Sequence, residues 1–221
     1  MSTMTSSPWD AVLFDYGRVL SYAPSREELL EFAALTGVSE AVFFELYSNT
    51  RDHYDRGHAD YQEHWRRFAE VAEVHIPPAI VERMVAMESV MWTRLNPEML
   101  ELAREVKSRG LKTAILSNMP FDLLGELRRK FDWLDEFDAQ IWSCELGVIK
   151  PDAEIYRACL TALDCEAKRA LFFDDRPRNV DGARRAGMDA HVFESAAQAR
   201  AIVETGLNRR LAIQTTTARD A

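Results

Sequence analysis

The second half of the chain alternates between short apolar segments and helical patterns, and this alternation restricts the fold more than any other feature. Apolar segments of four to six residues suit buried strands. Parallel strands need a long crossover connection, usually a helix, and each gap between these segments contains a helical pattern. The sequence therefore predicts an α/β fold with a parallel sheet, whose strands include residues 111–116, 139–142, 170–173 and 188–193.

An earlier apolar run, residues 11–14, leads directly into Asp15 and Gly17. Its four apolar residues indicate a further buried strand, and the glycine suits a tight turn at the carboxyl end of that strand. A buried carboxylate costs several kcal/mol unless a cation or hydrogen-bond donors meet it. Asp15 therefore needs a metal ion, a lysine or backbone N–H groups close by.

Residues 22–93 contain helical patterns and no convincing strand. Ser25, Ser39 and Asp60 are each followed by a helical pattern and are good helix N-caps, and a fourth pattern follows the Pro77-Pro78 break. This stretch predicts a helical cap inserted between the first strand and the rest of the sheet. The expected organisation is a core of residues 8–21 and 94–206, a helical cap of residues 22–93, and a flexible tail of residues 207–221, with the last core helix at 196–204.

The charge of the chain is acidic, with a formal net charge of -9. This argues against binding to nucleic acid or to an anionic membrane, because those partners favour clustered lysine and arginine. The three cysteines lack metal-ligand spacing, and no long apolar segment or export signal is evident. We expect reduced thiols, a cytoplasmic location, a small-molecule partner, and a monomer or homodimer.

Polar residues follow three of the predicted strands, at Asp15, Ser117-Asn118 and Asp174-Asp175. The carboxyl ends of parallel strands meet along one crevice, so these side chains are expected to converge. Carboxylates in one place repel each other, and a hard divalent cation neutralises them. Mg²⁺ suits such oxygen ligands and retains water molecules that a phosphate can replace.

Lys150 precedes a predicted helix, where its ammonium and the free backbone N–H groups can hold an anion. Ser117 and Asn118 add neutral donors at the neighbouring strand end. Together with a metal ion, these groups would bind a phosphoryl group and stabilise the charge on its oxygens during transfer.

Four short motifs, taken in order, resemble those of the haloacid dehalogenase (HAD) superfamily, in the subgroup with a helical cap after the first motif. The resemblance covers residues from about 10 to 206 and implies a Rossmann-like core. Within the family, the chain resembles small sugar-phosphate phosphatases of bacteria. The motifs are Phe14-Asp15-Tyr16-Gly17, Ile115-Leu116-Ser117-Asn118, Lys150-Pro151-Asp152 and Phe172-Phe173-Asp174-Asp175.

This resemblance implies a role for each motif residue. Asp15 would be the nucleophile that forms an aspartyl-phosphate, which water then cleaves. Ser117 and Lys150 would hold the phosphoryl oxygens. The implied Mg²⁺ ligands are Asp15, the carbonyl of Gly17, Asp175 and, directly or through water, Asp174.

Gly17 departs from the family pattern, because phosphatases of this family usually carry a second aspartate there as general acid and base. Proton transfer of this kind contributes ~10²–10⁴-fold to a rate. An acid from the cap is one substitute, and the candidates are His53, Asp55 and His58. Arg18 and His53 are also candidate substrate-binding residues. These histidines and His64 lack zinc-ligand spacing, and we expect them at the surface.

Three functions remain open at the level of sequence. The first is a Mg²⁺-dependent phosphatase acting on a small phosphorylated metabolite, possible substrates including sugar phosphates. The second is a metal-free 2-haloacid dehalogenase, which would carry neutral side chains in place of Asp174-Asp175 because unneutralised charge beside the nucleophile is unfavourable. The third is a catalytically silent metabolite-binding protein of the same fold, which only Gly17 favours.

Overall fold

The computed structural model describes residues 8–217, and its centre is one five-stranded sheet. Every pair of neighbouring strands is parallel. The predicted α/β fold is thus confirmed, and each strand begins and ends within one residue of its predicted bounds. The strands are β1 (Ala11–Phe14), β2 (Lys112–Ser117), β3 (Ala139–Trp142), β4 (Ala170–Asp174) and β5 (Asp189–Val192), in the spatial order β3-β2-β1-β4-β5.

The segment between β1 and β2 is helical, as its patterns predict. The side chains of Ser25, Ser39 and Asp60 each accept a hydrogen bond from a backbone N–H in the first turn of the helix that follows. A short helix, Asp52–Asp55, was not predicted. The helices are α1 (Arg26–Thr36), α2 (Glu40–Asn49), α3 (Asp52–Asp55), α4 (Tyr61–Val71) and α5 (Pro78–Trp92).

These helices pack around an apolar core of their own. Phe32, Phe43, Trp65, Phe68 and Met84 are fully buried within it. Their rings make edge contacts, and the centroids of Phe32 and Trp65 lie 5.4 Å apart. Because this cluster is separate from the clusters that line the sheet, the segment forms a cap with an independent core.

The remaining helices cover both faces of the sheet. Residues in β1 alternate between the faces: Val12 and Phe14 pack on one side, and Leu13 packs on the other. These helices are α6 (Pro97–Ser108), α7 (Phe121–Lys130), α8 (Ser143–Leu146), α9 (Ala153–Ala162), α10 (Pro177–Arg185) and α11 (Ala196–Thr217). The first face is covered by α6, α7 and α11, and the second by α9 and α10.

The last helix is longer than predicted. The sequence pattern ends it at residue 204, whereas α11 continues to Thr217. Helical backbone therefore extends through residues 207–217 of the expected flexible tail, and residues 218–221 lie outside the described part of the chain. No helix within residues 8–217 is both long enough and apolar enough to cross a lipid bilayer.

The order of the strands determines where a ligand can bind. From β1 the chain moves outward to β2 and β3, then crosses to β4 on the other side of β1. Ligands bind at such a switch point, outside the carboxyl ends of the strands. Phe14 pairs with both Ile115 and Phe173, so Asp15 follows at the same level as Asp174. The register therefore brings together the polar ends of β1, β2 and β4.

Candidate active site

Lys150 is the centre of the polar cluster at these strand ends. Its side chain is fully buried, and its Nζ lies 2.9 Å from Asp15 Oδ1 and 2.6 Å from Asp174 Oδ2. Nζ also donates a hydrogen bond to the carbonyl of Leu116, at 2.8 Å. Burial alone would lower the pKa of Lys150, but the two carboxylates outweigh it and raise the pKa. Lys150 is therefore a cation held between two buried acids.

Asp15 receives two contacts on the same oxygen. The N–H of Tyr16 donates to Oδ1 at 2.7 Å, and Lys150 Nζ lies 2.9 Å from the same atom. Burial raises the pKa of Asp15 to about 7, with a further contribution from Asp174 and Asp175 and an opposing one from Lys150. Within ion-pair distance, the three carboxyl groups meet one buried ammonium and one half-exposed guanidinium, so the cluster keeps an excess of negative charge.

The three carboxyl groups are close enough to share a cation. One oxygen from each of Asp15, Asp174 and Asp175 lies within 4.8 Å of the others. Burial and Asp174 also raise the pKa of Asp175. Hard oxygen donors in such a cluster fit a divalent ion such as Mg²⁺, which would favour the ionised forms of Asp15 and Asp175. Gly17, whose carbonyl is the fourth expected ligand, lines the same cavity.

Asp174 differs from the other two acids because its oxygens are already occupied. Oδ1 accepts hydrogen bonds from the N–H of Arg176 at 2.9 Å and from Asn179 Nδ2 at 3.0 Å. Oδ2 accepts from Lys150 and from Asn179. These contacts favour a role in which Asp174 positions Lys150 and reaches a metal ion through water.

The amide of Asn118 holds the loop that carries Lys150. Its Nδ2 donates to the carbonyl of Lys150 at 3.1 Å, and its Oδ1 accepts from the N–H of Lys150 at 2.7 Å. Asn118 also lines the cavity, and contact between this residue and phosphate stays a prediction. Ser117 is buried and lines the cavity.

Arg18 and His53, the two weaker candidates for substrate binding, lie in different places. Arg18 lines the cavity, and its Nη1 is 3.6 Å from Asp175 Oδ2. His53 is not among the described residues that line the cavity; its ring lies 5.2 Å from that of His58. The structure thus brings Arg18 to the site and does not bring His53 there.

His64 corrects another expectation, because it is buried in the cap and not at the surface. Its ring stacks on Tyr54, with 4.7 Å between centroids, and only 1% of its surface is exposed. Burial lowers its pKa to about 3. His64 is therefore a neutral aromatic side chain of the cap core, which it joins together with Trp65 and Phe68 of the same helix.

Residues of the cap line the side of the cavity that faces the strand ends. A cavity of about 150 Å³ lies over Asp15, between the strand ends and the cap. The sequence did not identify most of its cap-side wall. One signal was present: Glu88 stands in an apolar helical pattern, and a buried glutamate needs a cation, which Arg51 supplies at 2.5 Å. The cap residues of the wall are Pro24, Leu29, Phe44, Tyr47, Arg51, Asp55 and Trp92.

Comparison with known families agrees with this geometry. The family described as haloacid dehalogenase-like hydrolase matches residues 10–187, which include every motif residue of the site. The chain belongs to this family. The resemblance inferred from the motifs is therefore confirmed.

Several relatives of this HAD-like hydrolase are phosphatases. A sesquiterpene phosphatase of Aspergillus oryzae is 26% identical over 85% of this chain and 91% of its own length. A phosphorylated carbohydrates phosphatase of Thermotoga maritima is 25% identical over 76% of this chain and 85% of its own length. Two relatives from Mus musculus and Sus scrofa are larger: each is 30% identical over 58% of this chain, and the matches span 12% and 24% of their lengths.

A solved structure has the same fold. A HAD family enzyme of Bacteroides thetaiotaomicron, in complex with magnesium and inorganic phosphate, aligns with a TM-score of 0.67. It covers 84% of this chain and 94% of its own, at 18% sequence identity. The likeness therefore extends over both the core and the cap.

Proposed function

We propose that this protein is a Mg²⁺-dependent phosphatase that hydrolyses a small phosphorylated metabolite through an aspartyl-phosphate on Asp15. The observation that carries the proposal is the convergence of Asp15, Asp174 and Asp175, with Lys150 buried between the first two. A bound Mg²⁺ would neutralise the excess negative charge and offset the charge of a phosphoryl group. Relatives named as phosphatases support the same activity.

The residues around Asp15 suit nucleophilic attack on phosphorus. The Tyr16 N–H and Lys150 orient the carboxylate through Oδ1, and Lys150 favours its ionised form. The carboxylate forms a bond to phosphorus as the bond from phosphorus to the leaving oxygen breaks. Water then attacks phosphorus and releases inorganic phosphate and free Asp15. Lys150 and Ser117 stabilise the charge on the phosphoryl oxygens in both steps.

The organic part of the substrate would lie against the cap. A sugar phosphate is the first candidate, and the Thermotoga relative named for phosphorylated carbohydrates supports it. Leu29, Phe44 and Trp92 form an apolar part of the wall, and this observation favours a second candidate, a phosphate ester with an apolar organic group. The net charge of -9 supports a free small molecule over a nucleic acid.

Metal-free dehalogenation is less compatible with these residues. Without a cation, Asp174 and Asp175 raise the pKa of Asp15 and so reduce its ionised, nucleophilic fraction. A haloacid carboxylate would add further negative charge to the cavity. A silent binding protein would not require a lysine buried between two acids. Burying Lys150 in this way costs free energy of folding, because the charged groups lose contact with water.

The test is phosphate release from an aryl phosphate and from a panel of sugar and apolar phosphate esters, with and without Mg²⁺. We expect turnover that requires Mg²⁺ and is lost in Asp15→Asn. Activity without Mg²⁺ after chelation, or an Asp15→Asn variant as active as the parent, would contradict the mechanism. Release of halide from a 2-haloacid in place of phosphate would favour the dehalogenase.

A further inference from the structure

Gly17 provides no proton donor for the leaving group, and a side chain at this position would crowd Trp92. A Cβ atom here would lie 3.2 Å from Cζ3 of Trp92. An acidic side chain at position 17 would therefore require the Trp92 ring to shift. If the protein hydrolyses esters with poor leaving groups, the proton comes from another wall of the cavity.

Outside the nucleophile and metal site, three residues on the described wall of the cavity carry a carboxyl or phenol group, namely Tyr16, Tyr47 and Asp55. Arginines are too weakly acidic to act as proton donors. Tyr16 donates its hydroxyl to the carbonyl of Trp92 at 2.7 Å and Tyr47 donates to Glu88 Oε1 at 3.0 Å, and burial raises the pKa of both. The remaining candidate is Asp55, which lines the cavity and is 9% exposed.

The charges around Asp55 favour its protonated form. Arg51 is shared between two buried carboxyl groups: Nη1 lies 2.5 Å from Glu88 Oε1, and Nη2 lies 3.4 Å from Asp55 Oδ1. That Oδ1 has no hydrogen-bond donor within the described residues. Arg51 therefore interacts more strongly with Glu88 than with Asp55.

The pKa directions agree with this division. Burial would raise the pKa of Glu88, but Arg51 overrides it and lowers the pKa. Burial raises the pKa of Asp55, with Glu88 and Asp52 adding to the effect and Arg51 and Arg176 opposing it. The carboxyl group that lines the cavity is thus the one that protonates first.

Contacts with the core hold Asp55 in place. Ser143, the first residue of α8, donates its hydroxyl to the carbonyl of Asp55. The next residue, Arg56, pairs with Asp152 at 2.8 Å. Gly57 has a positive φ of 74°, and a Cβ there would lie 2.7 Å from the carbonyl of Cys144. The segment that carries Asp55 is therefore docked directly on the core next to the site.

We infer that Asp55 supplies the general acid and base that Gly17 lacks, an inference that rests on the proposed phosphatase activity. As Asp15 displaces the leaving oxygen from phosphorus, the Asp55 carboxyl gives its proton to that oxygen, and the alcohol departs. The resulting Asp55 carboxylate takes a proton from water as the water attacks the phosphorus of the aspartyl-phosphate. Phosphate leaves, Asp15 is freed and Asp55 is protonated again, so the cycle balances.

The experiment compares two esters in the Mg²⁺-loaded protein, an alkyl phosphate whose leaving group needs a proton and p-nitrophenyl phosphate, whose leaving group does not. The variants are Asp55→Asn, Asp55→Glu, and Asp135→Asn as a control on an exposed aspartate outside the cavity wall. For Asp55→Asn we expect kcat/KM for the alkyl ester to fall ~10²–10⁴-fold. The nitrophenyl ester should still give a burst of nitrophenolate equal to the enzyme concentration, followed by slow turnover because the base is missing.

Asp55→Glu should recover part of the alkyl activity, and Asp135→Asn should match the parent. An equal loss with both esters and no burst, or no loss with either, would overturn the role of Asp55 while leaving the phosphatase intact. A parent protein that hydrolyses neither ester would overturn the proposed function and the role of Asp55 with it. Thermal melting of each variant separates these outcomes from unfolding.

Discussion

Replacing Lys150 by methionine tests the charge balance of the site through stability alone. Methionine fills a similar volume but leaves Asp15 and Asp174 buried without the ammonium that lies 2.9 Å and 2.6 Å from them. Removing one partner of a buried ion pair costs about 3–5 kcal/mol. For a chain of this size, 1 kcal/mol corresponds to a shift of about 2–4 °C in Tm. We therefore expect Tm to fall by about 6–20 °C near neutral pH.

The loss should depend on pH in a defined direction. The pKa of Asp15 in the folded, metal-free protein is raised to about 7, so folding favours its protonated form. Stability from that form is present at acid pH and is lost as pH rises through the folded pKa. Without Lys150 the folded pKa rises further, so the variant continues to lose stability at higher pH. Between about pH 5 and about pH 9, the difference between parent and variant should stay level up to about pH 7 and widen above it.

The assay is thermal melting of both proteins, free of metal, across that pH range. Lys168→Met is the matched control, because Lys168 forms an exposed pair with Glu166 at 2.8 Å. Such exposed pairs contribute little to stability. A Lys150→Met protein that melts with the parent, or a difference that does not change with pH, would refute the reasoning.

Three other perturbations test the contacts around the cavity. Mg²⁺ affinity should rise with pH up to about 7 and then level off, because the metal displaces a proton from Asp15; calorimetric titration at several pH values measures this. Gly17→Ala should destabilise the protein by about 1–3 kcal/mol, because its Cβ meets Trp92, and denaturant unfolding should detect the loss. Arg51→Met should cost about 3–5 kcal/mol in the same assay, since Glu88 loses its cation.

Local signals in the sequence were sufficient for much of the fold. The four apolar residues of β1 and the turn after them predict that Asp15 lies at the carboxyl end of the strand, because the buried apolar segment ends at the first charged residue. Ser25, Ser39 and Asp60 predict the helix starts of the cap, since capping depends on the next three residues. The short helix α3 (Asp52–Asp55) was missed because one turn is too short for an apolar period to appear.

The details of the site depend on contacts between distant residues, and these were less predictable. The motif residues indicated that Asp15, Lys150 and Asp174 meet. They did not indicate that the amide of Asn118 would form hydrogen bonds with the backbone of Lys150. The sharing of Arg51 between two acids depends on how the cap helices pack, and no local pattern specifies which acid is closer. Two residues bear on the missing acid, Asp55 and Trp92. Only the structure shows that both lie at the site.

The central claim is that Asp15 attacks phosphorus, and trapping the intermediate tests it most directly. The protein is mixed with Mg²⁺ and p-nitrophenyl phosphate, quenched in acid within a turnover and digested for mass spectrometry. We expect the peptide containing Asp15 to gain the mass of one phosphoryl group, and the gain to be absent in Asp15→Asn and without Mg²⁺. Turnover of the ester with no phosphoryl group on Asp15, or with the group on another residue, would contradict it.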